Sequence, residues 1–217
     1  PFTGAVLLSG TPSSTRQGGD TVDDATVITE LPFSGEGTTA GYTDDYDEVC
    51  PYTGATAPDV VYSITPERNM AVNMSTCYSN YDTKLYVYEN TVGNLAVTTS
   101  GEDACSDDNY PTGEQEDCTA WTSYIEGVSM SAGNTYYIVM DGYSSETGDY
   151  VLDIEAYNPL AGYNILEDGN PVGSVSGDAT SWDGLVFTAE TIDLEYEVVA
   201  MYLIPGIIDP AYSDPAG

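Results

Sequence analysis

The stretch that decides the fold is residues 57–90, APDVVYSITPERNMAVNMSTCYSNYDTKLYVYEN. Within it, residues 60–65, 71–77 and 85–88 each read as a β-strand, and short runs of turn residues separate them. Period-two patterning, β-branched and aromatic residues, and turns at short intervals are typical of an antiparallel β-sandwich. We therefore predict that the rest of the chain packs onto this three-strand meander.

Outward from this stretch, the chain continues as short strands and turns. Further strands are predicted at residues 26–31, 95–99, 121–130, 135–141 and 149–156. No segment shows a sustained 3.6-residue period with helix caps, so we predict an all-β protein with almost no helix.

Charge excludes one large class of partner. The 217 residues include 36 acidic residues, 3 basic residues and no histidine, which gives a formal net charge of −33. Nucleic-acid binding needs a basic surface, so a nucleic-acid partner is excluded. A disordered acidic chain is not indicated either, since 19 tyrosines and 41% apolar residues can build a core. High salt or bound divalent cations would offset the charge.

The four cysteines, Cys50, Cys77, Cys105 and Cys118, show no CxxC spacing, and no histidine is present to complete a zinc site. An even count in a β-rich chain favours two disulfides and an oxidising compartment. The chain starts at Pro1, which suggests that a signal peptide has been removed. No apolar run approaches the roughly 18–20 residues that span a bilayer. We therefore expect an extracellular or cell-surface protein with no membrane span.

Residues 1–19 differ in character from the rest of the chain. An uncharged, strand-forming run, residues 2–9, is tethered by the flexible linker at residues 11–19. Such a strand either folds back onto its own domain or adds to a neighbouring molecule. The candidate assembly residues are Phe2, Val6, Leu7 and Leu8.

Clusters of aspartates are the strongest chemical signal. The candidates are Asp20 at the domain entrance, Asp44, Asp45 and Asp47 in one loop, Asp59 before a strand, and Asp107 and Asp108 in a second loop. Calcium takes 6–8 oxygen ligands, and loops at one end of a sandwich can bring such clusters together. A solvated acidic surface would have the same sequence, and no EF-hand spacing is present.

Residues 20–157 resemble the bacterial pre-peptidase C-terminal (PPC) domain in its cysteine-containing form. The resemblance rests on LPFSGEGTTAG, APDVVYSITP, STCYSNYDTKLYVYEN, ACSDDN and GNTYYIVMDGYSSETGDYVLDIE. It implies a jelly-roll β-sandwich, often calcium-binding, that is appended to secreted enzymes and is not itself catalytic.

The resemblance favours calcium over a merely solvated surface. We expect the ion at Asp20, Asp44, Asp45 and Asp47, with Asp107 and Asp108 as a second candidate site. Four cysteines allow three pairings. We expect Cys105–Cys118 to close a short acidic loop and Cys50–Cys77 to tie the first loop to the central strand, although the sequence leaves the other pairings open.

Residues 158–217 form a second, smaller unit. LAGYNILEDGNPVGSVSG reads as a hairpin, and LEYEVVAMYL as a long strand. The unit resembles the second half of a fibronectin type III domain, an Ig-like sandwich, without its first two strands. Open edges recruit strands, so the gap would be filled in cis by the first domain, or in trans by residues 2–9 or the apolar arm at residues 204–212 of another copy. A head-to-tail contact of this kind builds a homopolymer.

We predict a secreted, non-catalytic structural protein that assembles by strand donation into a filament or surface layer stabilised by calcium. The absence of histidine excludes Ser-His, Cys-His and His-metal catalysis. Two alternatives stay open. One is an accessory or adhesion module that binds carbohydrate or matrix, and the other is the tail of a secreted protease.

Overall fold

The computed structural model describes residues 6–9, 17–108, 118–157, 160–167, 169–176, 196–202 and 211–212. All regular secondary structure in these ranges is β-strand, which confirms the predicted all-β class. The chain divides into two compact units, and the boundary between them falls between Tyr157 and Asn158. No helix in the described ranges is long and apolar enough to cross a bilayer.

In the ranges that the structure describes, eleven strands belong to the first unit and four to the second. In chain order they are β1 (Val6–Ser9), β2 (Thr26–Val27), β3 (Glu30–Leu31), β4 (Phe33–Thr38), β5 (Val60–Pro66), β6 (Met70–Ser75), β7 (Thr83–Glu89), β8 (Cys105–Ser106), β9 (Tyr124–Met130), β10 (Tyr136–Gly142), β11 (Asp149–Ala156), β12 (Leu160–Glu167), β13 (Asn170–Ser176), β14 (Tyr196–Tyr202) and β15 (Ala211–Tyr212).

The first unit is a β-sandwich of two sheets. A seven-stranded sheet has the order β3-β1-β5-β10-β7-β8, with β2 pairing in parallel to β5. A four-stranded sheet has the order β4-β11-β6-β9. All pairs other than β2–β5 are antiparallel. Ile138 of β10 lies opposite Tyr62 of β5 and Val87 of β7, so β10 is the centre of the larger sheet.

The three strands of residues 57–90 form where the sequence predicts them, but they are not a meander. β5 and β7 flank β10 in one sheet, whereas β6 lies in the other. The chain therefore crosses the sandwich twice within this stretch. Alternation specifies which face of a strand is buried, but it carries no information about which strand lies beside it.

Strands β5 and β7 are buried on both faces, which explains their near-continuous apolar sequences. Tyr62 and Val87 belong to the core between the sheets. Their neighbours Val61 and Tyr86 belong to a second cluster on the outer face of the larger sheet, together with Cys50. Residues 41–58, the acidic loop, therefore cover this outer face, because Cys50 lies within the loop.

Strand β1 pairs within its own unit. Leu7 lies opposite Glu30 of β3, and Leu8 lies opposite Pro66 of β5. This arrangement is the first of the two interpretations that the sequence left open, namely folding back onto the first domain. Donation of β1 to another molecule stays a prediction, and Phe2 lies outside the described residues.

The second unit contains a four-stranded antiparallel sheet with the order β13-β12-β14-β15. β12 and β13 form the predicted hairpin, and Gly169 in its turn has a φ of +76°, a conformation that favours glycine. Ile165 and Val199 are its buried apolar residues. The C-terminal arm is described only at β15, which pairs with β14.

Candidate metal centre

A single buried lysine holds the acidic loop against the larger sheet. The side chain of Lys84, in β7, is only 1% exposed. Its Nζ donates hydrogen bonds to Glu48 O (2.7 Å), Tyr52 O (3.1 Å) and Asp47 Oδ1 (3.3 Å). It also lies 3.9 Å from Oδ2 of the buried Asp141. Since a lysine ammonium has three protons, these acceptors satisfy it fully.

The other aspartates predicted to bind calcium in this region mostly accept hydrogen bonds from the protein. Oδ1 of Asp20 accepts from Thr43 N (2.9 Å), and its Oδ2 accepts from Thr43 Oγ1 (3.1 Å). The Asp45 carboxylate lies within hydrogen-bond distance of the same Thr43 hydroxyl, whose single proton is shared between the two aspartates. Asp47 Oδ2 accepts from Gly54 N (2.7 Å), and Asp44 is exposed. These carboxylates therefore fold the acidic loop, and the structure does not gather them at one point.

Asp59 is fully buried at the start of β5 and anchors the same loop. Its Oδ2 accepts backbone N–H groups from Asp45 (2.9 Å) and Tyr46 (3.0 Å). No hydrogen-bond donor of the described residues reaches its Oδ1. Burial raises the pKa of Asp59 to about 7, against the opposing effect of the two N–H groups, and the charge of Asp141 adds to the rise.

Three other aspartates do meet. Ligand oxygens of Asp82, Asp107 and Asp108 all lie within 4.8 Å of one another, the only group of this kind in the described part of the chain. Asp82 directly precedes β7, and Asp107 and Asp108 directly follow β8. Because β7 and β8 are paired neighbours, their ends bring the three carboxylates together.

Two oxygens of this cluster lack a hydrogen-bond donor. Oδ1 of Asp82 and Oδ1 of Asp107 are both buried, and no donor of the described residues reaches either. The Asp107 residue is only 6% exposed, and its other oxygen, Oδ2, accepts the Tyr52 hydroxyl. A buried carboxylate oxygen without a donor is costly unless a cation compensates it.

Burial and mutual repulsion destabilise the ionised form of these carboxylates. Burial raises the pKa of Asp82 to about 6, and the charges of Asp108 and Asp107 add to the rise. Burial also raises the pKa of Asp107, although the hydrogen bond from Tyr52 opposes this effect. A divalent cation bound between these carboxylates would offset their mutual repulsion and the cost of burying their charge.

One buried hydroxyl fixes the backbone on both sides of the cluster. Ser123 Oγ lies 2.6 Å from Thr83 O, next to Asp82, and 2.9 Å from Asp107 O. The backbone N–H of Ser123 also donates to Thr83 Oγ1 (3.0 Å). These contacts hold together the backbone segments that carry Asp82 and Asp107.

Two disulfides flank the cluster, as the cysteine count predicts, but their pairing differs from the predicted one. The structure pairs Cys50 with Cys105 and Cys77 with Cys118, with Cα–Cα distances of 5.7 and 4.6 Å. The predicted pairs Cys50–Cys77 and Cys105–Cys118 are therefore corrected. Cys50 lies in the loop above the outer sheet face, beside β8, whereas Cys77 O accepts a hydrogen bond from Thr119 N (2.9 Å), next to Cys118.

Sequence reasoning identified Asp107 and Asp108 as a second candidate site and missed Asp82. One signal was available: Asp82, like Asp59, stands immediately before an apolar strand. Among 36 acidic residues that signal is weak, because only the pairing of β7 with β8 brings Asp82 to the other two.

Comparison with known proteins identifies no relative: no protein-family model, curated protein or solved structure matches the chain. The resemblance of residues 20–157 to the PPC domain stays a prediction.

Proposed function

We propose that the protein is a non-catalytic extracellular structural subunit whose first unit is rigidified by calcium bound at Asp82, Asp107 and Asp108. The observation that carries the proposal is the pair of buried Oδ1 atoms of Asp82 and Asp107, which no described donor reaches. They belong to a cluster of three carboxylates with ligand atoms in mutual reach.

The ligand set favours a hard cation. All three side chains offer carboxylate oxygen, the ligand type that calcium and magnesium prefer. The chain has no histidine, and its four cysteines are paired in disulfides, so neither imidazole nor thiolate ligands are offered. Calcium is preferred over magnesium because carboxylates on loops at strand ends suit its variable geometry better than a strict octahedron.

The position of the site supports a structural role. The cluster connects the end of β8 with the start of β7. The Cys50–Cys105 disulfide joins β8 to the acidic loop, and the Cys77–Cys118 disulfide joins the end of β6 to the segment before β9. A cation bound there would add a further cross-link at this end of the sandwich. Such bracing suits a protein that must stay folded outside the cell.

Assembly by strand donation is part of the proposal. β1 is a four-residue strand, and its pairing consists of two backbone positions with β3 and two with β5. A β1 strand from a second copy would make the same pairs, because exchange of an identical element needs no new interface. In this form, the donated strand enters the first unit of its neighbour.

Metal titration of the purified full chain tests the calcium site. We expect calorimetry to show calcium binding, and chelation to lower the melting temperature. Asp107→Asn should weaken this binding strongly because it removes the negative charge of a nearly buried ligand. Asp44→Asn is the matched comparison, since Asp44 belongs to the set first predicted from sequence and is exposed. Calcium binding that survives Asp107→Asn but is lost in Asp44→Asn would place the ion in the acidic loop and overturn the proposed site.

A further inference from the structure

Two grooves of similar size meet on the surface of the first unit. One has a volume of about 620 Å³ and is lined by Tyr52, Asp103, Asp107 and Tyr124, among others. The other has a volume of about 580 Å³ and lies over the four-stranded sheet, with Tyr78 and Tyr124 in its lining. Tyr124, in β9, is common to both linings, so the two grooves adjoin at this side chain.

The linings of the two grooves share a chemical character. Among the described residues, neither lining contains a lysine or an arginine. The first groove carries the carboxylates of Glu102, Asp103, Asp107, Asp108 and Glu126, and the second those of Asp153 and Glu155. Anionic ligands are therefore disfavoured, because seven carboxylates line the two grooves and one calcium ion at the metal centre would offset only part of their charge.

Tyrosine rings provide the apolar part of this surface. Tyr52 is 43% exposed in the first groove, and Tyr78 is 59% exposed in the second. Exposed aromatic rings of this kind provide flat contact area with a polar edge. Such rings suit the flat apolar faces of sugar rings, while carboxylates accept hydrogen bonds from sugar hydroxyls.

From these observations we infer that the two grooves form one extended site for a neutral, hydroxyl-rich polymer, a glycan chain, with Tyr124 at its centre. A ligand that contacts both grooves has to extend past Tyr124, which suits a chain better than a small molecule. Its walls are preorganised, because Cys50 and Cys105 line the first groove as a disulfide, and the disulfide-bonded Cys77 lines the second.

One buried group indicates that the first groove is built to receive a ligand. Asp107 lines it, is only 6% exposed, and has an Oδ1 atom that no described donor reaches. A calcium ion at the metal centre would lie at this end of the groove, where sugar hydroxyls would complete its coordination. The inference goes beyond the proposed function, because the tyrosines of the second groove do not depend on the ion.

A cationic partner fits the observations less well. With a formal net charge of −33, the whole protein attracts cations. The carboxylates of the grooves would therefore not distinguish the grooves from the rest of the surface as a binding site for cations. Ammonium groups also contact tyrosine ring faces, so the tyrosines alone do not separate the two ligand classes. Oligolysine therefore serves as the competing probe in the test.

The test measures binding of neutral hexasaccharides to the full chain. A panel of β-linked glucose, N-acetylglucosamine and mannose hexamers is titrated by calorimetry, in calcium and in chelator, with heparin and oligolysine alongside. We expect at least one neutral hexamer to bind with a dissociation constant below about 1 mM, a range typical of weak specific sites. Heparin should not bind.

Variants then locate the site. Tyr124→Ala and Tyr78→Ala should each weaken hexamer binding at least fivefold, whereas Tyr124→Phe should retain it. Trp121→Ala is the matched control, because Trp121 is 47% exposed and lines neither groove. Calcium binding should be unchanged in Tyr78→Ala, which separates this inference from the metal proposal.

Three results would overturn the inference. The first is that no hexamer binds with a dissociation constant below about 1 mM. The second is that neither Tyr78→Ala nor Tyr124→Ala weakens the binding of a hexamer. The third is that only oligolysine binds and that 0.5 M salt abolishes its binding, as expected for screened surface charge. Tyr78 is so exposed that its removal should not impair folding, so Tyr78→Ala keeps the test valid if Tyr124→Ala does not fold.

Discussion

The ammonium nitrogen of Lys84 lies 3.3 Å from Oδ1 of Asp47, although the lysine side chain is almost completely buried. Lys84 is the only lysine of the chain and one of three basic residues. Its other acceptors are the backbone carbonyls of Glu48 and Tyr52. The Lys84 ammonium therefore holds the acidic loop in place, which is the role that we predicted from sequence for calcium.

Replacing this ammonium should loosen the acidic loop. Lys84→Met keeps the aliphatic stem but leaves two carbonyls and the buried Asp141 without their cation. Removing one partner of a buried pair typically costs about 3–5 kcal/mol. We expect a loss of this size in the free energy of unfolding, measured by urea denaturation.

Arg68→Met is the matched control, because Arg68 is exposed in the turn between β5 and β6 and makes no ion pair within the described residues. We expect its change in unfolding free energy to be below about 0.5 kcal/mol. Equal effects of the two substitutions would show that Lys84 contributes only general charge balance.

Asp59 should make the protein less stable as the pH rises. Its pKa is about 7 in the folded protein and 3.8 in the unfolded chain. The folded state therefore binds the proton more tightly, so the stabilisation is fully present below pH 3.8 and is lost as the pH rises to about 7. A shift of about three units corresponds to at most about 4 kcal/mol.

Asp59→Asn separates this effect from the general charge of the chain. The amide oxygen can still accept the N–H groups of Asp45 and Tyr46, while the titrating group is gone. Thermal unfolding between pH 4.5 and 8 should show a shallower decline for the variant than for the wild type. Parallel curves for the two proteins would mean that Asp59 does not titrate in this range.

Protons should compete with calcium at the metal centre. A ligating carboxylate must be ionised, and the pKa of Asp82 is raised to about 6 by burial. Below pH 6 the affinity for calcium should therefore fall by up to about tenfold per pH unit for each proton displaced. Calorimetry in two buffers of different ionisation enthalpy measures this proton release directly. An affinity that is constant from pH 7 to pH 5 would contradict Asp82 as a ligand.

The disulfide pairing can be checked without a structure. Non-reducing peptide mapping should recover Cys50 linked to Cys105 and Cys77 linked to Cys118. Removing the second bridge by Cys77→Ala with Cys118→Ala should cost about 2–4 kcal/mol of stability. It should also weaken calcium binding, because Asp82 lies five residues after Cys77. Linked peptides of any other pairing would contradict this arrangement.

The location of β1 can be determined by a designed cross-link. Leu7 and Glu30 are directly opposite each other in the β1–β3 pair, at a separation that suits a disulfide. Leu7→Cys with Glu30→Cys should give a cross-linked monomer if β1 stays in its own chain, and a covalent ladder if β1 is donated. Leu7→Cys alone controls for random oxidation. A cross-linked monomer at all concentrations would contradict strand donation.

The positions of the central strands could be predicted from sequence, because alternation and turn residues are local properties. Their order in the sheets could not. β10 inserts between β5 and β7 through pairs such as Met140 with Leu85 and with Val60, which are far apart along the chain. Such pairing depends on how complementary faces fit once the chain has collapsed, and no local pattern encodes it.

The candidate site was predictable to a similar degree. Asp107 and Asp108 are recognisable as an acidic pair, but Asp82 joins them only through sheet pairing. The acidic loop looked like the better calcium site because Lys84, some 40 residues away, cannot be recognised from sequence as its counter-ion. The cysteine pairing was misjudged for the same reason, since loop length favours neighbours along the chain whereas the sheets bring distant cysteines together.

The pairing of β4 with β11 has a kinetic consequence. Phe33 pairs with Ile154, so the four-stranded sheet joins an early segment to the last strand of the first unit. Non-local pairing of this kind slows folding, because the chain loses the entropy of closing a long loop before the stabilising contacts form. A nascent chain therefore has to emerge almost to residue 156 before the four-stranded sheet of the first unit can close.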